Sequence, residues 1–227
     1  MINLSRKTGR PVHILHVSTA DELPLLAAAK AEGLPITCEV TPQHLTLDSS
    51  AYETLGSKVQ MNPPIRDPEH RLAILQAMKD DLFDVFGSDH APHTAEEKAQ
   101  PYPKSPSGMP GVQTMLGLLL RFVESGDLDL PKLVRMGSER PADLYGIAGK
   151  GHIAPGYDAD IVVIDLSAEQ LVDQDWLQSK CGWSPFEGES LPGKIAHVFV
   201  NGQEVVDNGR IVGKPAGQPV TFTWKSS

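Results

Sequence analysis

Two short apolar runs separated by a single helix constrain this chain more than any other feature. Pro11–Val17 (Pro-Val-His-Ile-Leu-His-Val) and Pro35–Val40 (Pro-Ile-Thr-Cys-Glu-Val) are brief and β-branched, as buried strands are. Between them, Ser18 to Glu22 offer N-cap chemistry, with Glu22 placed to answer the candidate caps. Leu23–Glu32 is then Ala/Leu-rich and ends at Gly33, a residue suited to the left-handed backbone past a helix. A connection that long, carrying a helix, joins its strands in parallel. A further helix is expected over Asp67–Lys79, introduced by Asn-Pro-Pro-Ile-Arg, and a third strand at Val85–Phe86. Three strands alternating with helices predict a parallel α/β layer.

Polar residues gather after each of these strands: His16, then Glu39 to His44, then Asp89, His90 and His93. Parallel α/β enzymes present catalytic groups at that C-terminal rim, although an Asp before a turn also serves as a cap. His16 alone reads as a metal ligand or as a core histidine bonded to backbone. Together, His16 and Asp89 would share one rim, and imidazole plus carboxylate is an ordinary pair for a catalytic zinc that keeps a water position open. His13 is expected on the opposite face of its strand, in a structural role. Glu39 and His44 read as outer supports of a site or as loop polarity. Asn62, before Pro63-Pro64, is a firmly held amide donor or part of a turn. His93 suits an anionic substrate or a cap, and Cys38 a small buried side chain.

Residues 94–111 are Pro/Gly/Ser-rich, and a stretch of that kind in a compact domain is usually a binding loop or lid, or else disordered. Helices are expected over Gln113–Val123, Leu130–Met136 and Pro141–Tyr145. Near Gly149 the composition shifts to turns and strands. Asn201-Gly202 between Lys194–Val200 and Gln203–Val206 is a tight-hairpin signal, and Asp207-Asn208-Gly209 is a further turn before Ile211-Val212. The expected division is a barrel-like part over 1–148 and a small antiparallel β lobe over 149–227 that holds Trp176, Trp183 and Trp224. At 227 residues and 40% hydrophobic, the chain can bury a sizeable core. A net charge of −9 with no basic patch disfavours nucleic acid and anionic membrane as partners. Two distant cysteines, no apolar leader and no apolar run of about 18 residues suit a reduced, cytoplasmic protein.

The motifs carry a resemblance. His-Val-Ser at 16–18, Cys-Glu-Val-Thr-Pro-Gln-His-Leu at 38–45, Met-Asn-Pro-Pro-Ile-Arg at 61–66 and Ser-Asp-His-Ala-Pro-His-Thr at 88–94 resemble dihydroorotases of the amidohydrolase superfamily. Gly-Met-Pro-Gly at 108–111, Gly-Tyr-Asp-Ala-Asp-Ile-Val at 156–162 and Ser-Pro-Phe-Glu-Gly at 184–188 agree in order. The resemblance implies the C-terminal part of a metal-dependent TIM-type (β/α) barrel plus a small antiparallel β lobe. His16 would be the metal-binding histidine after the sixth barrel strand. Asp89 would be the aspartate after the eighth, both metal ligand and proton shuttle. Asn62, His93 and the Ser107–Gly108 backbone would contact substrate.

The implied cofactor is Zn²⁺, binuclear in an intact relative. The implied reaction is reversible hydrolysis of dihydroorotate to N-carbamoyl-aspartate, in pyrimidine synthesis. Allantoin and hydantoins are the competing substrates within the fold, and a non-catalytic dihydroorotase-like partner of another pyrimidine enzyme is the competing class. The family's His-x-His with its nearby arginine, its bridging carboxylate and its strand-five histidine have no counterpart here, and its usual Pro-His-His is Pro-Gln-His at Gln43. The expected partners are a small-molecule substrate and, for assembly, a second copy, a missing N-terminal half or another pyrimidine enzyme. Three barrel strands leave an open sheet edge and an uncovered apolar face. The isolated chain is therefore expected to bind zinc poorly, to turn over little and to associate.

Overall fold

A three-stranded parallel sheet carries the N-terminal half of the chain. A computed structural model describes residues 1–223; Trp224, one of the three tryptophans assigned to the β lobe, lies outside the described residues. The chain opens on α1 (Ile2–Thr8), a helix the sequence reading did not anticipate. Then come β1 (Val12–Ile14), α2 (Glu22–Ala31), β2 (Ile36–Val40), α3 (Pro42–Thr46), α4 (Ala51–Leu55), α5 (Pro68–Lys79) and β3 (Val85–Phe86). The sheet order is β1-β2-β3, with Val12 opposite Ile36, Ile14 opposite Cys38 and Val40 opposite Phe86, all parallel. The alternation of strand and helix thus produces the parallel α/β layer that it predicts.

The core of this layer is the apolar side of its elements. Leu26 and Ala29 of α2, Ile74 and Met78 of α5, and Cys38, Val40, Val85 and Phe86 of the strands are buried. Lys30 reaches from α2 to Asp84 Oδ2 at 2.5 Å, and the same oxygen accepts the Cys38 amide at 2.8 Å, which ties α2 and β2 to the start of β3. Glu22 answers the candidate caps of α2, as its spacing predicts. It reaches back to accept the Ser18 and Thr19 amides, while Asp21, at the N-cap, makes no side-chain bond to the helix. Both outer strands of the sheet pair on one side only, and Leu4, Leu15 and Leu25 are exposed.

The loop after β3 contains a short helix, α6 (Ala95–Lys98), with a complete capping box between Thr94 and Glu97. It is followed by α7 (Met115–Glu124), α8 (Leu130–Val134), a π turn at Arg135–Glu139 and α9 (Arg140–Tyr145). A second sheet has the order β4 (Ile161–Leu171), β5 (Ser190–Val200), β6 (Gln203–Asp207) and β7 (Arg210–Ile211). β5–β6 and β6–β7 are antiparallel. Asn201 and Gly202 turn the hairpin with φ of 50° and 76°, the left-handed pair such a turn requires.

By packing, the chain forms two compact units. One comprises Met1–Leu119 with Leu171–Glu189, the other Leu120–Gln170 with Ser190–Ser227. This grouping is not drawn at 148/149: the helices after Leu119 group with the second sheet, and the segment holding Trp176 and Trp183 groups with the first unit. There Trp183 joins Val59, Met61, Ile65 and Met109 in a buried cluster.

Candidate metal and substrate site

At the C-terminal rim of the parallel sheet, Nε2 of His16 lies 3.5 Å from Oδ1 of Asp89. Neither residue is on a strand. β1 ends at Ile14, the chain bends, and Val17 returns to donate to the Glu39 carbonyl at 3.1 Å. His16 occupies that bend with φ of 50°, and Asp89 leaves β3 with φ of 41°. Left-handed backbone at a non-glycine residue is uncommon and concentrates where function holds it. Both side chains are about one-fifth exposed, at 21% and 20%.

Behind His16 stands Glu39. Its Oε1 lies 2.5 Å from Nδ1 of His16, and its Oε2 lies 3.2 Å from Nε2 of His13. Neither Nδ1 of His16 nor Oε1 of Glu39 has another hydrogen-bond partner among the described residues. His13 therefore does not face away from His16. The bend at residues 15–16 breaks the two-residue alternation on which that expectation rests. The hydrogen bond to Glu39 raises the His16 pKa, against the lowering effect of burial, and the charges of Glu39 and Asp89 add to the rise. Burial alone would raise the Glu39 carboxyl, but bonds from His16 and then His13 outweigh it and lower it.

The donor set fits part of a zinc site. Two tetrahedral ligands about 2.1 Å from one zinc lie about 3.4 Å apart, close to the separation observed. An imidazole whose Nδ1 faces a carboxylate offers Nε2 to a metal. Among the described residues no third imidazole or carboxylate completes this pair. The one group of three is His197, Glu204 and Asp207 on β5–β6. There Nδ1 of His197 already meets Glu204 at 2.8 Å and Asp207 at 3.4 Å, an exposed ion-paired group.

The stretch after Asp89 is pinned residue by residue. His90 Nδ1 accepts the Gly111 and Val112 amides at 3.1 and 3.3 Å, so this histidine anchors the following turn. Ala91 donates to the Met109 carbonyl. Gly108, at φ 129°, has no room for a side chain, because a β-carbon would strike Ala91. His93 Nε2 bonds the Ser107 carbonyl at 3.1 Å, and the His93 carbonyl accepts Trp183 Nε1 at 2.8 Å. His93, Ser107 and Gly108 are thus brought together. Asn62 is exposed, and no side-chain bond joins it to them among the described residues. Its link is through Gln60, whose carbonyl accepts the Gly108 amide at 2.9 Å.

Supporting residues complete the rim. His44 is buried, with Nδ1 against Thr41 Oγ1 at 2.9 Å and Nε2 against the Pro63 carbonyl at 3.1 Å. Burial holds its pKa down to about 4. Gln43, also buried, donates to the Ser88 carbonyl at 2.8 Å. Cys38 is a buried thiol whose pKa burial pushes up to about 11. Sequence reasoning placed Glu39 near the site without its pairing to both histidines. It gave His90 no role and passed over Lys98, a buried charge in a polar loop. The one signal for Lys98 is its place at the end of a capped turn, where a long side chain can fold inward.

Residues 11–205 match the sequence model of the Amidohydrolase family. The dihydroorotase of Methanothermobacter thermautotrophicus is 39% identical over 212 residues, which cover 93% of this chain and 48% of that protein. The dihydroorotase of Halobacterium salinarum is 40% identical over 187 residues, covering 82% and 43%. Among solved structures, the L-hydantoinase (dihydropyrimidinase) of Arthrobacter aurescens superposes with a TM-score of 0.92 at 32% identity, covering 97% of this chain and 50% of that one. The chain spans about half the length of the curated relatives it matches.

Proposed function

The chain belongs to the amidohydrolase family, and on that premise we propose that it carries the His16–Asp89 part of a metal-dependent site that hydrolyses a cyclic amide, with dihydroorotate as the substrate. The observation that carries this reading is the 3.5 Å approach of His16 Nε2 to Asp89 Oδ1, with Glu39 behind the imidazole. His16 and Asp89 would hold zinc, which when bound polarises the amide carbonyl and acidifies water. Asp89 takes the proton from the attacking water and returns it to the leaving ring nitrogen, acting as base and then as acid. His93, with the Ser107–Gly108 backbone and Asn62, orients the ring and its carboxylate.

In this reading β1, β2 and β3 with their helices correspond to the last three units of an eight-unit TIM-type barrel. Residues 1–148 supply the barrel part and 149–227 the β lobe, and the protein works in the cytoplasm. Ligands on other strands then come from a further polypeptide segment, so the chain on its own binds zinc weakly and turns over little. The test is zinc content and turnover of dihydroorotate, allantoin and hydantoin. It is run on the chain alone and after addition of a polypeptide carrying the family's His-x-His segment. Zinc-dependent dihydroorotate hydrolysis that appears only on mixing, and is lost in Asp89→Asn, supports the proposal. Stoichiometric zinc with steady turnover by the chain alone would sink the incomplete-site reading. Preference for hydantoin would favour the second reading, a hydantoinase, for which the 0.92 TM-score to an L-hydantoinase speaks. Metal-free binding to a carbamoyltransferase would favour a non-catalytic partner.

A further inference from the structure

Lys98 ends α6 with its side chain turned inward and only 2% exposed. Its Nζ bonds the Gly108 and Pro106 carbonyls at 2.8 Å each and the Gln60 carbonyl at 3.2 Å. An ammonium has three N–H donors and no acceptor, so every donor is spent on main-chain oxygen. No carboxylate pairs with it among the described residues. The main chain of Lys98 is drawn into the same knot: its carbonyl accepts the hydroxyls of Ser57 and Ser105. Gln60 completes it, with a side-chain amide that donates to the Ser105 carbonyl at 3.0 Å and a carbonyl that accepts the Gly108 amide at 2.9 Å.

The need for such a residue is written in the loop. Pro101, Pro103, Pro106 and Pro110 lack amide protons, so this segment has few donors with which to satisfy its own carbonyls. A buried acceptor left unpaired is costly. An ammonium at the centre of converging carbonyls solves this with one side chain. Methionine has similar length and no donor, and the planar guanidinium of arginine cannot point its donors the same way. Burial pushes the Lys98 pKa down to about 8, which leaves it mostly charged at neutral pH.

We propose that Lys98 is a positioning residue: its ammonium clamps the Pro106–Gly108 backbone onto Gln60, and so holds the Ser107–Gly108 edge in register with His93 and Asn62 for a bound ring. This rests on the reading above of those four residues as substrate contacts. The same loop is held at a second point by the close approach of Gly108 to Ala91.

The test is hydrogen exchange of the full chain, as wild type, Lys98→Met and Lys98→Arg, with and without millimolar dihydroorotate. The clamp predicts that amides of 104–109 exchange at least about tenfold faster in Lys98→Met, the effect of losing one bond's worth of protection, while β2 and the β5–β6 hairpin stay unchanged. It also predicts that the dihydroorotate concentration that half-protects the loop rises about tenfold at unchanged melting temperature, a shift that a purely structural lysine would not cause. Wild-type exchange at 104–109 in a folded Lys98→Met overturns the clamp whatever dihydroorotate does. If Lys98→Met does not fold, Lys98→Arg decides: faster exchange confined to 104–109 supports the clamp, and wild-type exchange overturns it. If dihydroorotate protects the loop in neither wild type nor variant even with zinc and the polypeptide carrying the His-x-His segment added, the substrate reading falls and the positioning role with it, while exchange without ligand still reports on the clamp itself.

Discussion

Oε1 of Glu39 sits 2.5 Å from Nδ1 of His16, on the side of the imidazole opposite Asp89. The ring is therefore held from behind by a buried carboxylate, and its other nitrogen is presented at the rim. Glu39 is on β2 and His16 lies just past β1, so parallel pairing of the two strands is what sets this contact. A second bond, from His13 to the other carboxylate oxygen, keeps Glu39 itself from rotating.

Replacing Glu39 with glutamine keeps the shape and removes the charge. The His16 ring then loses the charged partner that raises its basicity, and keeps at most a neutral amide oxygen in its place. Loss of such a support typically weakens metal binding about 10- to 100-fold. Zinc competition against a chromophoric chelator should show that drop for Glu39→Gln, with the circular dichroism spectrum unchanged. Equal zinc affinity in the variant and wild type would mean that the Glu39 charge does not support His16.

Gly87 follows β3 directly and leaves the space that the Glu39 carboxylate fills; a β-carbon there would fall on the carboxylate group. Gly87→Ala is expected to cost about 1–3 kcal/mol, as overpacking does, and to weaken zinc retention as Glu39 is pushed aside. Gly137→Ala is the control, because nothing lies within 4 Å of a β-carbon built there. Urea unfolding of both variants checks this, and similar midpoints for the two would remove the steric argument.

The parallel layer was legible because period and punctuation agree: β-branched runs, an Ala/Leu helix and Gly33 at its end all point one way. The pairing of His16 with Asp89 was legible too, since parallel strands deliver their ends to one rim. The contact of His13 with Glu39 was not, because it depends on a bend at residues 15–16 that local composition does not signal. The grouping of 171–189 with the first unit was equally hidden. It is decided by Trp183 packing on Met61 and Met109, a long-range burial with no local pattern. Lys98 was unreadable for a related reason: a lysine in a charged turn is usually solvated, and only the shortage of amide donors in the proline-rich loop nearby makes burial favourable.

His44 carries the clearest pH signature. Its ring is buried and its pKa is about 4, below the usual imidazole value near 6.5. The unfolded chain therefore takes up a proton between pH 6.5 and 4 that the folded chain refuses. This contribution to stability is complete above pH 6.5 and is lost as pH falls toward 4, by up to about 3 kcal/mol. Ring resonances of the metal-free chain should show His44 titrating near 4 and His16, raised by Glu39, well above it. A His44 midpoint near 6.5 would contradict the buried neutral ring.

Trp183 links packing to the rim. Its ring is 3% exposed among Val59, Met61, Ile65 and Met109, and its Nε1 donates to the His93 carbonyl at 2.8 Å. Phenylalanine retains most of the apolar contact and cannot make the bond. Trp183→Phe should cost about 1–2 kcal/mol, the loss of one part-buried hydrogen bond. Trp183→Ala should cost about 3–5 kcal/mol, because it also empties the cluster. The two variants separate anchoring from packing. If the indole bond fixes His93, Trp183→Phe speeds amide exchange at 93–94 and 107–109 while Val59 and Met61 stay protected. If the ring acts only as filler, Trp183→Phe leaves all four segments as they were, and only Trp183→Ala disturbs them.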